Sequence, residues 1–442
     1  MAKGIIIGAP SSGSGKTFLT LGLLRLLKIK QVSVRSAKVG PDYIDPAFHT
    51  AASGSECLNL DTWAMRDTMM DYLLSSLEQQ VDFIVVEGVM GLFDGVWIKN
   101  QAKNGSTASL AEKTGWPIVL VVDASSQAQS IAALINGFAY HSTKISLSGV
   151  IFNKVGGLGH EKILRETALK YFPDIDVLGC VPRNEKLVLP ERHLGLVQAS
   201  EHKSLDSFLD NVANWLVKYL EIDKLLAIAK HREEILLQKP FNQIIPIGQR
   251  IAIAKDVAFS FVYPSLLEGW AKAGSEIVPF SPLAGQGPCK SADAIYLPGG
   301  YPELYAGKLS SNGFLKLLRV AAASGAKIFG ECGGYMVLGN SLIDKDGGQH
   351  EMAGLLNLET SFKDCKLQLG YRRVTAQHDF LLGKRGSKFS GHEFHYATSD
   401  SREGSESLFS SFNARGEDLG FSGAINGNVS GSFVHLIDQL NF

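Results

Sequence analysis

The apolar positions in the first half of the chain fall in short continuous runs, separated by stretches with helical spacing. Continuous runs, rather than alternating ones, are typical of strands that are covered on both faces. The strand–helix–strand order therefore predicts an α/β fold with a mostly parallel sheet and helices on both sides. Amphipathic stretches such as 18–27 and 204–220 supply helices. The predicted strands are 4–10, 32–40, 83–91, 117–124, 147–155 and 176–182.

The pattern changes near residue 221 and later restarts, which predicts two domains. A charged, helix-like stretch follows residue 221, and strand-like runs resume at Arg250. We expect a first domain over residues 1–222, a linker over 223–249 and a second domain over 250–442. A chain of 442 residues fits this division, since domains commonly hold about 100–200 residues. The strand-like runs of the second domain are 250–256, 275–281, 294–300 and 327–334, followed by runs typical of antiparallel strands at 367–376, 391–398 and 429–437.

Composition argues against several kinds of partner. The net charge is -1, from 43 basic and 44 acidic side chains, so no overall field favours nucleic acid or an anionic membrane. No apolar run reaches the roughly 18 residues of a membrane-spanning helix, and the amino-terminal run is too short for a signal peptide. The cysteines are odd in number, scattered and without a C-x-x-C pair, which argues against a disulfide framework or a zinc site and favours a reducing cytoplasm. They are Cys57, Cys180, Cys289, Cys332 and Cys365.

A glycine-rich segment over residues 8–17 joins the first strand to the first helix. Pro10 stands where the strict phosphate-loop pattern requires glycine, but the core of the motif is intact. Backbone amides of such a turn cradle phosphate oxygens, Lys16 adds a positive charge, and the Thr17 hydroxyl can reach magnesium. The segment therefore predicts binding of ATP and Mg²⁺, and the alternative is a glycine-rich turn with an incidental lysine. The core residues are Gly13, Ser14, Gly15, Lys16 and Thr17.

Carboxylates follow two of the predicted strands. Within the run 83–91, Glu87 is placed at the carboxyl end of the buried strand, and ligands of open α/β sheets collect at such ends, so Glu87 can hold magnesium on the nucleotide. Its alternative is a solvated strand-end glutamate. Lys38, Asp42 and Asp45 lie at and after the end of the second strand. Spacing alone favours a loop without a functional role as much as a functional loop there.

One amide side chain also lies at a strand end. Asn153 ends the fifth predicted strand, where it can contact the base of a bound nucleotide. As a single residue, however, it is more often a cap.

The second chemical motif is GECGGY, at residues 330–335. A strand runs into Cys332 and a helix follows, so we expect an exposed nucleophile whose thiol pKa is lowered by the helix N-terminus. Gly333 and Gly300 offer backbone amides for an oxyanion hole. The alternative is a buried, inert cysteine.

A cysteine nucleophile needs a base, and three histidines compete for this role. His435 lies near the C-terminus, whereas His392 and His395 both lie in the run 391–398. Spacing alone favours a packed role for His435, so the base is not decided by the residues themselves.

These motifs in one chain resemble the corrinoid a,c-diamide synthases of cobalamin biosynthesis. The first half is similar to dethiobiotin synthetase, and the second half is similar to a class I glutamine amidotransferase domain of the cobyric-acid-synthase type. The resemblance runs nearly from end to end. The matching blocks are SGSGKT (12–17), KVGPDYIDPAFH (38–49), NLDTWAM (59–65), EGVMGLFDG (87–95), LPERHLGL (189–196), YLPGGYPELYA (296–306) and GECGGY (330–335).

The resemblance implies a function. ATP would phosphorylate the c side-chain carboxylate of hydrogenobyrinate or cobyrinate, and ammonia from glutamine would displace the phosphate, followed by the a carboxylate. The version of the block at 35–49 favours hydrogenobyrinate, and the family suggests a homodimer. Two alternatives are a cobyric acid synthase, which amidates other corrinoid carboxylates, and a ParA/MinD-like ATPase switch. The GPDYIDP block speaks against the first, and the GECGGY motif is not needed by the second.

The resemblance also assigns roles to single residues. Asp45 matches the loop that handles the corrinoid side chain, supports catalysis and contributes to the metal site, and Asp42, Tyr43 and Asp94 match substrate-side positions. Lys38 matches a lysine that neutralises the transferring phosphoryl group. The remaining matches are Thr17 and Glu87 for magnesium, Cys332 for the glutamine nucleophile and His435 for its base.

One feature departs from the wider class I pattern. That pattern is His-x-Glu, in which the glutamate orients the histidine, but here Ile437 stands two residues after His435. We therefore expect another group to orient His435, and a modest glutaminase activity unless the other site is occupied.

Overall fold

The computed structural model describes residues 2–97, 103–187, 191–192, 195–233, 244–401 and 406–441. The chain forms two compact units, Met1–Trp63 with Asp67–Pro240, and Ala64–Arg66 with Phe241–Phe442. Residues 234–243 of the predicted linker, and residues 189–190 and 193–194 of the LPERHLGL block, lie outside the described residues. No helix in the described part is long and apolar enough to cross a membrane.

The first unit is built on a mostly parallel sheet with the strand order β3-β2-β4-β1-β5-β6-β7, and β10 adds to β1 in the antiparallel direction. All six strands that the apolar runs predicted are present, so the prediction is confirmed. The strands are β1 (Lys3–Gly8), β2 (Val34–Val39), β3 (Leu58–Leu60), β4 (Phe83–Glu87), β5 (Ile118–Asp123), β6 (Leu147–Val155), β7 (Asp176–Pro182), β8 (Glu191–Arg192), β9 (Gly195–Leu196) and β10 (Lys230–His231). The helices are α1 (Lys16–Ile29), α2 (Asp45–Ser53), α3 (Asp67–Leu77), α4 (Thr107–Thr114), α5 (Ile131–Tyr140), α6 (Leu158–Tyr171), α7 (Leu205–Leu216) and α8 (Ile222–Ile228).

Burial on both faces explains the continuous apolar runs. Ile5, Ile6 and Ile7 are consecutive in β1, and each is at most 1% exposed. Since neighbouring residues of a strand point to opposite faces, both faces of the sheet are covered. Ile5 and Ile7 share one apolar core with α1 and α7.

Residues 223–231 were expected to belong to the linker, and the structure differs. They form α8 and β10, and they belong to the first unit. Leu225 is fully buried and Ala229 is 5% exposed in the same core as α1. Apolar burial therefore holds this segment on the sheet despite its charged composition.

The second unit combines a six-stranded, mostly parallel sheet (β12-β11-β13-β14-β24-β23) with two smaller sheets, β16-β15-β17-β20 and the antiparallel β22-β21-β18-β19-β25. Its helices are α9 (Pro264–Lys272), α10 (Ala306–Ser311), α11 (Phe314–Ala323) and α12 (Gly333–Leu338). Its strands are β11 (Arg250–Ala254), β12 (Glu276–Phe280), β13 (Ala294–Leu297), β14 (Lys327–Glu331), β15 (Ser341–Ile343), β16 (Gln349–Glu351), β17 (Leu358–Ser361), β18 (Gln368–Ala376), β19 (Lys388–His395), β20 (Thr398–Ser401), β21 (Phe409–Asn413), β22 (Asp418–Ser422), β23 (Ala424–Asn426), β24 (Val429–Ser432) and β25 (His435–Gln439).

The run 429–437 was expected to be one antiparallel strand, and this expectation is wrong in part. Its first residues form β24, which pairs parallel to β14, and its last residues begin β25, which pairs antiparallel to β19. Phe433 and Val434 connect the two strands and are buried, so the apolar run crosses between sheets without an exposed turn. The crossing carries His435 out of the sheet that holds the cysteine motif.

Candidate active sites

Three neighbouring strands of the first unit end at the phosphate loop. The loop follows β1, and β4 lies between β1 and β2. Lys38 of β2 stands in register with Glu87 of β4, which stands in register with Ile7 of β1. Because the strands are parallel, their carboxyl ends bring the lysine and the glutamate to the start of the loop, as expected for ligand sites of such sheets.

The loop has the backbone conformation that its glycines allow. Gly13 and Gly15 have φ angles of 77° and 93°, and α1 begins directly after them at Lys16. The Lys16 ammonium donates to the carbonyl oxygen of Met90 at 2.5 Å. Burial, reinforced by the charge of Lys38, lowers the pKa of Lys16 to about 8. A glycine-rich turn, a helix N-terminus and a lysine thus converge, which is the arrangement that binds phosphate.

Asn153 supports the loop from the neighbouring strand. Its side-chain amide donates to the carbonyl oxygen of Ser14 at 2.9 Å. A methyl group added at Gly15 would lie 2.2 Å from the same amide nitrogen, so the loop and Asn153 are in close contact. The structure therefore gives Asn153 a contact with the loop backbone, whereas the sequence suggested a contact with the nucleotide base.

A buried group of charged side chains, here called the nucleotide cluster, consists of Lys38, Asp45, His49 and Glu87. The Lys38 ammonium lies 2.5 Å from Asp45 Oδ2 and 2.7 Å from Glu87 Oε1. The Thr17 hydroxyl donates to Glu87 Oε1 at 2.6 Å and lies 3.4 Å from Asp45 Oδ2. The structure thus brings together Thr17, Lys38, Asp45 and Glu87, which the sequence had placed in three separate motifs.

His49 is a member of this cluster that the sequence analysis missed. Its Nε2 atom lies 2.7 Å from Glu87 Oε2, and Cys57 Sγ lies 3.5 Å from its Nδ1. The ring is completely buried. His49 follows Asp45 by four residues on α2, so the i,i+4 spacing would have placed both side chains on one helix face.

Pairing, rather than solvent, sets the charges of this cluster. Burial alone would raise the pKa of Glu87, but Lys38 and His49 hold it well below its ordinary value. Burial alone would lower the pKa of His49, but Cys57 and Glu87 raise it to about 10. Burial and the neighbouring Asp42 raise the pKa of Asp45 to about 7.

The oxygen atoms of Thr17, Asp45 and Glu87 fit a magnesium ion. All three are hard oxygen donors, and the Thr17 hydroxyl lies within 3.4 Å of each carboxylate. Among the described residues no group of three or more His, Cys, Asp or Glu side chains could hold a metal by itself. The donor set therefore suits a cation that takes its remaining ligands from nucleotide phosphates and water.

The three expected substrate-side residues lie in loops beside the cluster. Asp42 accepts hydrogen bonds from the backbone of Ile44 and Asp45 at 2.8 Å and 3.0 Å, and so shapes the start of α2. Asp94 accepts from the backbone of Gly91 at 2.9 Å. Tyr43 is half-buried in the loop between β2 and α2.

In the second unit, Cys332 forms a sharp turn between β14 and α12. Its φ and ψ are 48° and −107°, a conformation that residues other than glycine rarely adopt. The elbow was expected to expose the thiol and lower its pKa, and both expectations are wrong. Cys332 is 3% exposed, and burial raises its pKa well above the ordinary value even though the Gly333 amide acts in the opposite direction. The helix N-terminus does not outweigh desolvation here.

His435 lies beside Cys332, and Gly299 leaves room for both. A methyl group added at Gly299 would lie 2.4 Å from His435 Cε1, 3.2 Å from its Nε2 and 3.3 Å from Cys332 Cβ. The imidazole and the cysteine therefore both border Gly299, and Cε1 and Nε2 are the ring atoms nearest to it. Near them, the Gly300 nitrogen lies 3.0 Å from the point where Gly333 would carry a Cβ, so the two glycines expected to form an oxyanion hole are neighbours at the elbow.

The two competing histidines have other contacts, and the His392 ring packs edge-on against Tyr371 and Phe394. His395 places Nε2 2.9 Å from Glu393 Oε1 and Nδ1 3.0 Å from the carbonyl oxygen of Ala397, and its ring stacks on Phe433. Burial, with the charge of Arg372, lowers the pKa of His392 to about 4. The geometry therefore favours His435 as the partner of Cys332.

Glu331 was also missed by the sequence analysis, although it directly precedes Cys332 in the motif. It is 3% exposed, and its Oε2 atom lies 3.8 Å from His435 Nδ1. Burial raises its pKa from 4.5 to about 7. We call Glu331, Cys332 and His435 the elbow cluster. A carboxylate at the end of a buried strand was the signal that would have found it.

Comparison with known proteins matches a different family description to each half of the chain. Residues 5–197 match the family described as "CobQ/CobB/MinD/ParA nucleotide binding domain", and residues 250–441 match the "CobB/CobQ-like glutamine amidotransferase domain". The chain is 49% identical over 440 residues to a hydrogenobyrinate a,c-diamide synthase of Brucella anthropi, covering 99% of this chain and 98% of the relative. It is 47% identical over 437 residues to the enzyme of that name from Rhizobium meliloti, covering 99% of each. This chain therefore belongs to the hydrogenobyrinate a,c-diamide synthase family.

Proposed function

We propose that this protein is an ATP-dependent ligase that converts the a and c side-chain carboxylates of hydrogenobyrinate into amides, with glutamine as the nitrogen donor. The observation that carries the proposal is the match along 99% of the chain to enzymes of that name. Those names favour hydrogenobyrinate over the acceptors of a cobyric acid synthase. The elbow cluster, which a ParA/MinD-like switch does not need, adds the glutamine-dependent half.

The nucleotide cluster supports activation of the carboxylate. A carboxylate is a poor electrophile because its leaving group would be oxide, and transfer of the γ-phosphoryl group of ATP to it supplies a better leaving group. The phosphate loop and Lys16 hold the nucleotide phosphates. Lys38, which already contacts Asp45 and Glu87 at 2.5 Å and 2.7 Å, neutralises charge on the transferring group.

Thr17, Asp45 and Glu87 would hold magnesium, which neutralises charge on the phosphate oxygens when it is bound. Asp45 also contacts the acceptor side chain, and Asp42, Tyr43 and Asp94 line the corrinoid side of the loop region. His49 fixes the orientation of Glu87 through the 2.7 Å contact between Nε2 and Oε2. Ammonia then attacks the acyl phosphate, forms the carbon–nitrogen bond and releases phosphate.

The elbow cluster supports production of the ammonia. The Cys332 sulfur forms a bond to the amide carbon of glutamine while its proton passes to His435 Nε2. The Gly300 and Gly333 amides stabilise the negative oxygen of the tetrahedral intermediate. His435 returns the proton to the leaving nitrogen, ammonia departs, and water then hydrolyses the thioester to glutamate.

The test is an assay of purified protein with ATP, magnesium, glutamine and either hydrogenobyrinate or cobyrinate, read by product mass. We expect two acid-to-amide conversions on hydrogenobyrinate, with ADP and glutamate formed in proportion. Reactions without ATP or without the corrinoid are the controls. ADP release without any amide product would contradict the proposal, and a clear preference for cobyrinate would correct the acceptor.

A further inference from the structure

The His435 ring lies between the nucleophile and a second buried side chain. Its Cε1 and Nε2 atoms border Gly299, which also borders Cys332 Cβ, and its Nδ1 atom lies 3.8 Å from Glu331 Oε2. Glu331 and Cys332 are consecutive, so one strand end supplies groups to both sides of the imidazole. The three side chains therefore have the order of a nucleophile, a base and a carboxylate.

Two hydrogen bonds hold the Glu331 carboxylate in place. The backbone N–H of Leu436, the residue after His435, donates to Oε1 at 3.1 Å, and the Tyr296 hydroxyl donates to Oε2 at 2.6 Å. The first bond ties the elbow to the start of β25. The carboxylate is thus fixed relative to the backbone that carries the imidazole.

Another carboxylate near the site is engaged elsewhere. Glu393 acts electrostatically on both Cys332 and His435, but Arg372 contacts its Oε2 at 2.6 Å and His395 contacts its Oε1 at 2.9 Å. Both oxygens of Glu393 are therefore paired with cationic or polar groups. Among the described residues, Glu331 forms an ion pair with no side chain other than His435.

We propose that Glu331 is the positioning residue of the glutaminase site, taking the role that the glutamate of the His-x-Glu pattern plays in the wider class. It accepts the Nδ1–H of His435, which leaves Nε2 unprotonated and directed at the Cys332 thiol. It also stabilises the imidazolium that forms when the thiol proton moves to His435. This inference rests on the proposed roles of Cys332 and His435.

The electrostatics of the elbow cluster explain why a carboxylate beside His435 would help the reaction. Burial lowers the pKa of His435 to about 3, with further lowering by His392 and His395, so an isolated imidazolium would be costly. An adjacent carboxylate offsets that cost at the step where the cation forms. The distance of 3.8 Å is an ion-pair separation rather than a hydrogen bond, and catalytic contacts of this kind commonly shorten when substrate binds.

The main competing explanation is structural, in which Glu331 only ties the elbow to Leu436 and Tyr296. Glu331→Gln separates the two roles, because the amide oxygen can still accept from Leu436 and the amide nitrogen can donate to the Tyr296 oxygen. What the amide lacks is the negative charge beside Nδ1. Tyr296→Phe is the matched reverse, since it removes the structural hydrogen bond and leaves the carboxylate. Glu351→Gln, at an exposed glutamate of the same unit, is the surface control.

Glutamate release from glutamine is the first measurement, because it needs no corrinoid. We expect Glu331→Gln to lower kcat about 10- to 100-fold and to change KM for glutamine by less than about threefold, since the residue acts through the base and not on substrate binding. Tyr296→Phe should lower kcat by less than about fivefold. Amidation supported by ammonium chloride reports whether each variant is folded. A Glu331→Gln protein within about twofold of wild type, or one that loses ammonium-supported amidation in parallel, would overturn the proposal.

A double-mutant cycle with His435→Asn provides the sharper test. If Glu331 acts through His435, then Glu331→Gln causes no further loss once His435 is replaced, whereas independent effects would multiply and overturn the proposal. The outcomes also separate this inference from the proposed function. A wild-type protein that hydrolyses glutamine but does not amidate hydrogenobyrinate would sink the proposed acceptor and leave the Glu331 test intact. A wild-type protein that releases no glutamate would overturn both.

Discussion

The nucleotide cluster and the elbow cluster are both buried, but they offset the loss of water in different ways. In the nucleotide cluster, Lys38 and His49 lie against Glu87, and the pairing keeps opposite charges in place. In the elbow cluster, burial shifts Cys332, His435 and Glu331 toward their neutral forms. Burying a charge is costly unless it is paired, so Glu87 and its partners keep their charges, whereas the elbow cluster suppresses its charges until His435 takes up a proton.

This difference in charge suggests why each cluster suits its own reaction. A preformed set of charges suits phosphoryl transfer, in which the protein mainly positions groups and neutralises charge. A neutral thiol is a weak nucleophile, so little glutamine is hydrolysed unproductively. We therefore expect the elbow to be slow until bound substrate changes its surroundings, which agrees with the modest glutaminase activity expected from the sequence.

The largest effect is expected from Cys332→Ala, which tests whether the two clusters divide the work. Glutamine-supported amidation should fall by about 1000-fold or more, because no other group can form the thioester. Amidation supported by millimolar ammonium should remain close to wild type, since the nucleotide cluster is unchanged. Product mass in parallel assays with the two nitrogen sources measures both. Failure of ammonium to rescue the variant would show that the division is wrong.

Glu87→Gln tests the paired cluster. It leaves Lys38 and His49 without their shared anion, so amidation should fall about 100-fold with either nitrogen source. Removing one partner of a buried ion pair should also cost about 3 kcal/mol in the free energy of unfolding. Thermal unfolding and glutamate release are the measurements, and the second should be unaffected.

The matched control for this variant is Glu112→Gln, which removes an exposed partner of Lys144. An exposed pair contributes only about 0–1 kcal/mol, so its thermal midpoint should hardly move. Equal destabilisation by the two variants would contradict the pairing argument.

The pH dependence of stability tests the neutral cluster. The folded-state pKa of Glu331 is raised from 4.5 to about 7, so the folded state binds this proton more tightly than the unfolded state. The contribution of this raised pKa to the free energy of unfolding is fully present below pH 4.5. About 3 kcal/mol of it is lost as the pH rises from 4.5 to 7. Glu331→Gln mimics the protonated form. Its stability relative to wild type should therefore increase between pH 5 and pH 8 by about that amount, as measured by thermal unfolding across this range. A constant difference would show that the carboxyl is ionised throughout.

The smallest effect is expected from Asn153→Ala. The variant removes the 2.9 Å hydrogen bond to Ser14 and loosens the phosphate loop without removing a charge. One lost hydrogen bond of about 1 kcal/mol should raise KM for ATP about fivefold. The rate at saturating ATP should stay near wild type, which initial rates at varied ATP would establish. A fall in the saturated rate comparable to that of Glu87→Gln would give Asn153 a larger role than support of the loop.

Local patterns allowed much of this architecture to be predicted. The strand–loop–helix context located the phosphate loop around Lys16, and the strand-to-helix context located the elbow around Cys332. Both depend on neighbouring residues and on the period of the apolar positions, so no distant contact was needed. The prediction of one strand over the run 429–437 failed because a continuous apolar segment can also cross from one sheet to another.

By itself, therefore, the sequence determined the α/β fold, the two motifs and, through its resemblance to known families, the pairing of ATP with glutamine. Only the tertiary structure decided that His49 supports Glu87, that Cys332 is buried and that Glu331 faces His435. The physical reason is that burial and distance are collective properties. A side chain's pKa and partners depend on which distant strand ends meet it, and a carboxylate beside a cysteine in sequence carries no information about an imidazole from another sheet.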